Sequence, residues 1–104
     1  MRILIAEDET IIRMDLRSLL ESAGFEVCAE AKDGEEAVEL ARKEQPDLAV
    51  LDVKMPRLDG IEAARRILDD RPIPIVIHGY AYPVPDGRGV LGGWGILPGP
   101  WFPN

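Results

Sequence analysis

The chain predicts an α/β fold with a parallel sheet of about four strands, three connecting helices and an irregular tail. Three observations carry that expectation. From Met1 to Ile77, apolar runs of strand length alternate with runs of helical spacing. Each strand–helix–strand unit is long enough for the right-handed crossover that joins parallel strands. Acidic residues close two of the apolar runs, at Glu7-Asp8-Glu9 and at Asp52, where open α/β sheets carry their reactive groups.

The elements follow in order. Arg2-Ile3-Leu4-Ile5-Ala6 reads as a buried strand. Thr10 stands where it can cap a helix whose apolar positions are Ile11, Met14, Leu19, Leu20 and Ala23, with Gly24 as its left-handed stop. Phe25 to Ala31 alternates, with Phe25, Val27, Ala29 and Ala31 on one side and Glu26, Cys28 and Glu30 on the other, the pattern of a half-exposed edge strand. Asp33-Gly34-Glu35-Glu36 and Asp59-Gly60-Ile61-Glu62 share one helix-start signature, an Asp N-cap with Glu three residues on. The first of these helices carries Ala37, Val38, Leu40 and Ala41 up to Gln45-Pro46; the second carries Ile61, Ala64, Ile67 and Leu68 up to Pro72. Between them Asp47 to Asp52 reads as a central strand, and Ile73 to Ile77 as another.

Composition bounds the rest. At 104 residues this is one domain with little core to spare. A net charge of −7 argues against a nucleic-acid or anionic-membrane surface. Cys28 is the single cysteine, so no internal disulfide forms; it reads as a small structural hydrophobe rather than a reactive group. A free thiol and no signal peptide fit a reducing cytoplasm. No apolar run approaches the roughly 18 residues of a membrane span.

After Ile77 the composition changes. Residues 78–104 hold seven of the ten glycines, five of the nine prolines, both Trp and both Tyr, and their only charges are Asp86 and Arg88. We read 1–77 as the folded unit and 78–104 as an irregular tail that cannot add a strand and helix to a packed sheet. The tail is either a Pro-rich aromatic binding segment or an out-of-frame continuation of a GC-rich gene. The second reading is favoured, since the change falls inside a strand–loop junction rather than at a linker.

Glu7-Asp8 after the first strand, Asp52 after the third, and Met55-Pro56 with Asp59-Gly60 beyond it together resemble the receiver domain of two-component response regulators. The wording Ala6-Glu7-Asp8-Glu9 and Asp52-Val53-Lys54-Met55-Pro56 is most similar to receivers of antiterminator-type regulators, which carry an RNA-binding output domain; none is expected within residues 1–104. The resemblance implies a doubly wound, flavodoxin-like sheet of order 2-1-3-4-5, left incomplete by the tail. It implies Asp52 as acceptor of a phosphoryl group from a sensor histidine kinase. It also implies Mg²⁺ held by Glu7, Asp8, Asp52 and the backbone carbonyl of Lys54. The chemistry supports those roles. A carboxylate attacking a phosphoryl group needs a cation to offset the charge both bring, and Mg²⁺ favours oxygen donors.

Other residues read more plainly. The Lys54 side chain reads as solvated, Glu9 as a charge at a helix start, and Asp59 as a cap. His78 invites a metal or phosphohistidine reading, which is set aside because no second ligand stands near it in sequence. The resemblance also has gaps. The family places a Ser or Thr hydroxyl after the fourth strand, where this chain has Gly79, and a Lys after the fifth, whereas no Lys follows Lys54. Two functions stay open: a phosphoaccepting module, or a truncated receiver that binds at most a cation or a kinase. An aspartate-based phosphatase is disfavoured because Asp52-Val53-Lys54 lacks a second acid two residues on. A flavin site is disfavoured because three acids stand where its phosphate loop would be.

Overall fold

The computed structural model describes residues 1–79 and the backbone of residues 95–96. Strands β1 (Arg2–Ala6), β2 (Glu26–Ala31), β3 (Leu48–Asp52) and β4 (Ile75–His78) alternate with helices α1 (Thr10–Ser22), α2 (Gly34–Glu44) and α3 (Gly60–Asp70). The four strands run parallel, and the sheet order is β2-β1-β3-β4 followed by a short β5 (Gly95–Ile96). This is the doubly wound flavodoxin-like arrangement, with the order reversing between β1 and β3.

The tail departs from expectation at one point. Gly95 and Ile96 pair antiparallel with Ile77 and Val76, so the tail does contribute a strand, though only two residues long. The unpaired edge of β4 offers free backbone donors and acceptors to any extended segment within reach, which requires no periodicity in that segment. The remainder of the expected irregular tail, residues 80–94 and 97–104, lies outside the described residues.

One face of the sheet packs on α2 and α3. Leu4, Ala6, Ala49, Leu51, Ile75 and Ile77 alternate onto it and meet Ala37, Val38, Ala41, Ala63, Ala64 and Ile67. The other face packs on α1, where Ile3, Ile5 and Val50 meet Leu16, with Ile12 and Leu20 alongside. Positions 12, 16 and 20 are spaced by four, so they stack on one stripe of the helix. The apolar set expected for α1 is therefore corrected. Ile11, Met14 and Leu19 are 73%, 60% and 64% exposed, and Leu20 alone of that set meets the core, in part. Thr10 is the first helical residue rather than the cap; Glu9 holds the cap position without a side-chain hydrogen bond. Gly24 has φ +93, as a left-handed helix stop requires.

Strand β2 also corrects a pattern. Ile3 stands opposite Val27 but Leu4 opposite Ala29, so Cys28 is an extra residue in the pairing. That bulge turns Val27 onto the α1 face and leaves Ala29 and Ala31 on the α2–α3 face, which simple alternation could not foresee. Strand β4 starts at Ile75 rather than Ile73, since Pro74 precedes it.

Both Asp caps form: Asp33 Oδ1 accepts from the Glu36 N–H at 2.8 Å and Asp59 Oδ1 from the Glu62 N–H at 2.9 Å. Glu36 reaches back to the Lys32 N–H. The glycine after each cap is a packing requirement. A Cβ on Gly34 would collide with the Leu58 carbonyl, and one on Gly60 with the carbonyl of Asp52. Both helix starts are thereby pressed against the loop that follows β3. We expect Gly60→Ala to lower the urea midpoint, with a loss of about 1–3 kcal/mol from overpacking. Gly79→Ala, whose Cβ would meet only the Val53 side chain among the described residues, at an ordinary 3.5 Å, should change stability by less than about 0.5 kcal/mol. Equal midpoints for the two variants would mean that the Gly60 contact yields without cost.

Candidate functional site

The register of the sheet builds the site. Ala6 stands opposite Leu51, so Glu7 and Asp52, one residue further along, arrive level. Asp52 in turn stands opposite His78. The three residues form a row across the carboxyl ends of β1, β3 and β4, one position beyond the apolar positions of the α2–α3 face. By alternation they share the parity of Ile5, Val50 and Val76, on the α1 side of the sheet.

These polar groups are enclosed. Glu7 and Asp52 are each 1% exposed and His78 is 8% exposed. Glu7 Oε2 lies 3.3 Å from His78 Nε2. One donor atom from each of the three lies within 4.8 Å of the others. Glu7 Oε1 accepts from the Glu9 N–H at 3.2 Å and Asp52 Oδ1 from the Lys54 N–H at 3.4 Å. The second oxygen of each carboxyl, Glu7 Oε2 and Asp52 Oδ2, is buried with no hydrogen bond among the described residues.

The surroundings hold the row in place. Arg13 of α1 donates to the Glu7 carbonyl at 2.7 Å and pairs with Glu30 at 3.4 Å, joining α1 and β2 to the end of β1. Val53 N–H donates to the His78 carbonyl and Gly60 N–H to the Val53 carbonyl, both at 2.9 Å, tying the loop after β3 to β4 and to α3. Within that loop Arg57 has φ 70, a left-handed value that non-glycine residues adopt rarely. Met55 is buried in the α2–α3 core and anchors the loop from below.

Burial dominates the electrostatics. It pushes the Glu7 pKa from 4.5 up to about 8, reinforced by the neighbouring Asp52 carboxyl and opposed by the Glu9 N–H. Burial raises Asp52 too, against the neighbouring Glu7 carboxyl and the Lys54 N–H. It lowers His78, against the attraction of Asp52. Two carboxyl groups enclosed side by side cannot both ionise cheaply, so one keeps a proton unless a cation replaces it.

The residues singled out in the sequence divide accordingly. Glu7 and Asp52 meet. Asp8 is exposed and lines an open cleft with Val53, Lys54, Pro56 and Asp59, outside the buried row. Asp59 caps α3, as expected. Cys28 is half-buried with its pKa raised by burial, which disfavours the thiolate. The expectation that His78 stands apart from any ligand is corrected: strand pairing places it in the row, beside Glu7 and Asp52. Its signal was position: it closes an apolar strand just as Asp52 does.

A family model described as the response regulator receiver domain matches residues 3–85, and the chain belongs to that family. The transcriptional regulatory protein PdtaR of Mycobacterium tuberculosis is 58% identical over 76 residues, which are 73% of this chain and 37% of that protein. A protein-glutamate methylesterase/protein-glutamine glutaminase of Archaeoglobus fulgidus is 43% identical over 77 residues, 74% of this chain and 22% of that one. This chain thus spans well under half the length of these relatives. Among solved structures, the response regulator domain of Thermotoga maritima CheB is similar with a TM-score of 0.75 at 31% identity, covering 89% of this chain and 72% of that one. The resemblance read from Glu7-Asp8, Asp52 and Met55-Pro56 is thereby upheld at the level of family and fold. No helix among the described residues is long and apolar enough to cross a membrane.

The buried pair makes stability depend on pH. The unfolded Glu7 carboxyl ionises near 4.5 and the folded one near 8, so across that window the folded chain holds a proton the unfolded chain has lost. Stability therefore falls as pH rises through it, and the raised Asp52 acts in the same sense. His78 acts oppositely, but only below its ordinary 6.5, where the unfolded imidazole takes up a proton. With a chelator present, the urea midpoint should fall between pH 6.5 and pH 8, and Glu7→Gln should flatten that slope. A wild-type midpoint rising over this interval would overturn the assignment of a proton to the carboxyl pair.

Proposed function

We propose that this receiver accepts a phosphoryl group on Asp52 from a sensor histidine kinase, with Mg²⁺ held by Glu7, Asp8, Asp52 and the Lys54 carbonyl. The observation that carries the reading is the meeting of two enclosed carboxyl groups whose oxygens Glu7 Oε2 and Asp52 Oδ2 have no hydrogen-bond partner among the described residues. A cation is the natural partner for two such atoms at the switch point of a parallel sheet. Hard oxygen donors suit Mg²⁺, and exposed Asp8 adds a carboxylate at the solvent side.

In this reading an Asp52 oxygen attacks the phosphorus of the donor phosphohistidine. The new O–P bond gives an acyl phosphate, the N–P bond breaks, and the imidazole leaves with the electron pair. The ion, when bound, offsets charge on the transferring group. Glu7 helps hold that ion, and the Lys54 N–H orients Asp52. The chain acts as a phosphoacceptor rather than a turnover enzyme, and the kinase is its partner. A nucleic-acid or membrane contact through this segment has no support in its net charge of −7, and a cytoplasmic location accords with kinase access. We take residues 1–77 as the receiver unit and 78–104 as an appended tail.

One feature favours a limited version of this role. Gly79 follows β4 where the resemblance implies a phosphoryl-sensing hydroxyl, and no Lys follows Lys54. A phosphoryl group shifts a conformational equilibrium only through contacts that differ between the two states. Without those two groups the module accepts the phosphoryl group but does not relay it.

Acetyl phosphate with Mg²⁺ should label Asp52 alone, leaving Asp8 and Asp59 unmodified, and Asp52→Asn should abolish labelling. Labelling that persists in Asp52→Asn would show another carboxylate to be the acceptor. With beryllofluoride as phosphoryl mimic, amide shifts should stay confined to residues 7–8 and 52–60. Changes spreading across α3 and β4 would restore a relaying role.

A further inference from the structure

The cation-site reading above names only oxygen donors, yet the enclosed row contains a nitrogen. We infer that Glu7, Asp52 and His78 form a mixed carboxylate–imidazole site that takes a divalent transition-metal ion such as Zn²⁺ in preference to Mg²⁺. The inference rests on the reading that Glu7 and Asp52 converge on a cation, and adds the third donor and the selectivity it confers.

The geometry supports three donors around one ion. With bonds of about 2.1 Å, tetrahedral donors stand about 3.4 Å apart. Glu7 Oε2 and His78 Nε2 are already 3.3 Å apart. All donor pairs lie within 4.8 Å, so the widest must close by at most about 1.4 Å to reach that spacing. Three protein donors leave the fourth position for water or a phosphoryl oxygen, the layout of an open zinc site.

The donor chemistry points the same way. Mg²⁺ takes near-octahedral oxygen ligands and keeps several waters, whereas imidazole suits zinc and its neighbours. Glu7 and Asp52 are 1% exposed and His78 8% exposed, so the row itself is lined by protein donors more than by solvent. Two carboxylates and one neutral imidazole also balance a divalent ion to zero net charge, which removes the cost of enclosing the two acids together. Asp8, exposed at the neighbouring cleft, adds negative charge on the approach from solvent. The row stands on three parallel strands, whose backbone pairing limits how far the donors can drift.

The test is a pair of titrations of the full chain at neutral pH, with Zn²⁺ against a competing chelator and with Mg²⁺, followed by ¹H–¹⁵N spectra that include the His78 ring nitrogens. Zn²⁺ should shift the His78 Nε2 resonance together with the Glu7 and Asp52 amides, and Co²⁺ should give the visible bands of a tetrahedral site. His78→Leu should weaken Zn²⁺ by at least about tenfold, since even outer-shell partners of a metal are worth that much. The same variant should leave the Mg²⁺-induced shifts at Glu7 and Asp52 in place, which also reports that it folds. Unchanged Zn²⁺ affinity in His78→Leu, or a His78 ring untouched by Zn²⁺, would overturn the inference. If Mg²⁺ still shifts Glu7 and Asp52 in that case, the phosphoacceptor reading stands. If neither ion shifts them, both readings fall.

Discussion

Because β1, β3 and β4 run parallel and level, the residue that follows the last apolar position of the α2–α3 face in each strand arrives in one row. That register brings Glu7, Asp52 and His78 together from positions 45 and 26 residues apart along the chain. A slip of one residue in any pairing would turn one of these side chains to the opposite face and put an apolar residue in its place. The alternation of Leu4, Ala6, Ala49, Leu51, Ile75 and Ile77 onto the α2–α3 core prevents the slip. The apolar packing and the polar site are thus set by one constraint.

The site carries an electrostatic cost that the rest of the fold absorbs. Two carboxyl groups and an imidazole are enclosed at the end of the sheet, and two carboxyl oxygens there have no hydrogen bond among the described residues. Without a cation the cheapest arrangement is a proton held on Glu7, which is the meaning of a pKa pushed to about 8. Functional sites commonly store unfavourable arrangements of this kind, because the ligand that relieves them gains the difference. Arg13 braces the end of β1, and the collision-limited fits at Gly34 and Gly60 press both helix starts against the loop after β3.

The two faces of the sheet are unequally covered. Helices α2 and α3 bury one face over a broad apolar cluster, while among the described residues α1 alone packs on the other. The row of polar residues lies on that second, thinner side. The outer edge of β4 is met only at Val76 and Ile77, by Ile96 and Gly95, so half of its four residues find no partner strand among the described residues. The strand that carries His78 is therefore the least supported of the three that build the site, and Gly79 after it contributes no side chain.

Much was legible in the chain itself. The alternation of apolar runs with helical periods was enough for a parallel α/β sheet, since those patterns reflect burial on two faces and on one stripe. The Asp33 and Asp59 caps were readable because capping is local, and Glu7 and Asp52 were readable as strand-end acids. Three things required the tertiary structure. The stripe of α1 that meets the sheet is Ile12, Leu16 and Leu20 rather than Ile11, Met14 and Leu19, because a helix with apolar residues around much of its girth is oriented only by what it packs against. The bulge at Cys28 divides β2 between the two faces, and its place depends on how β2 meets β1. His78 joins the acids because β3 and β4 pair with Asp52 opposite it, and sequence distance carries no information about pairing between strands separated by a helix.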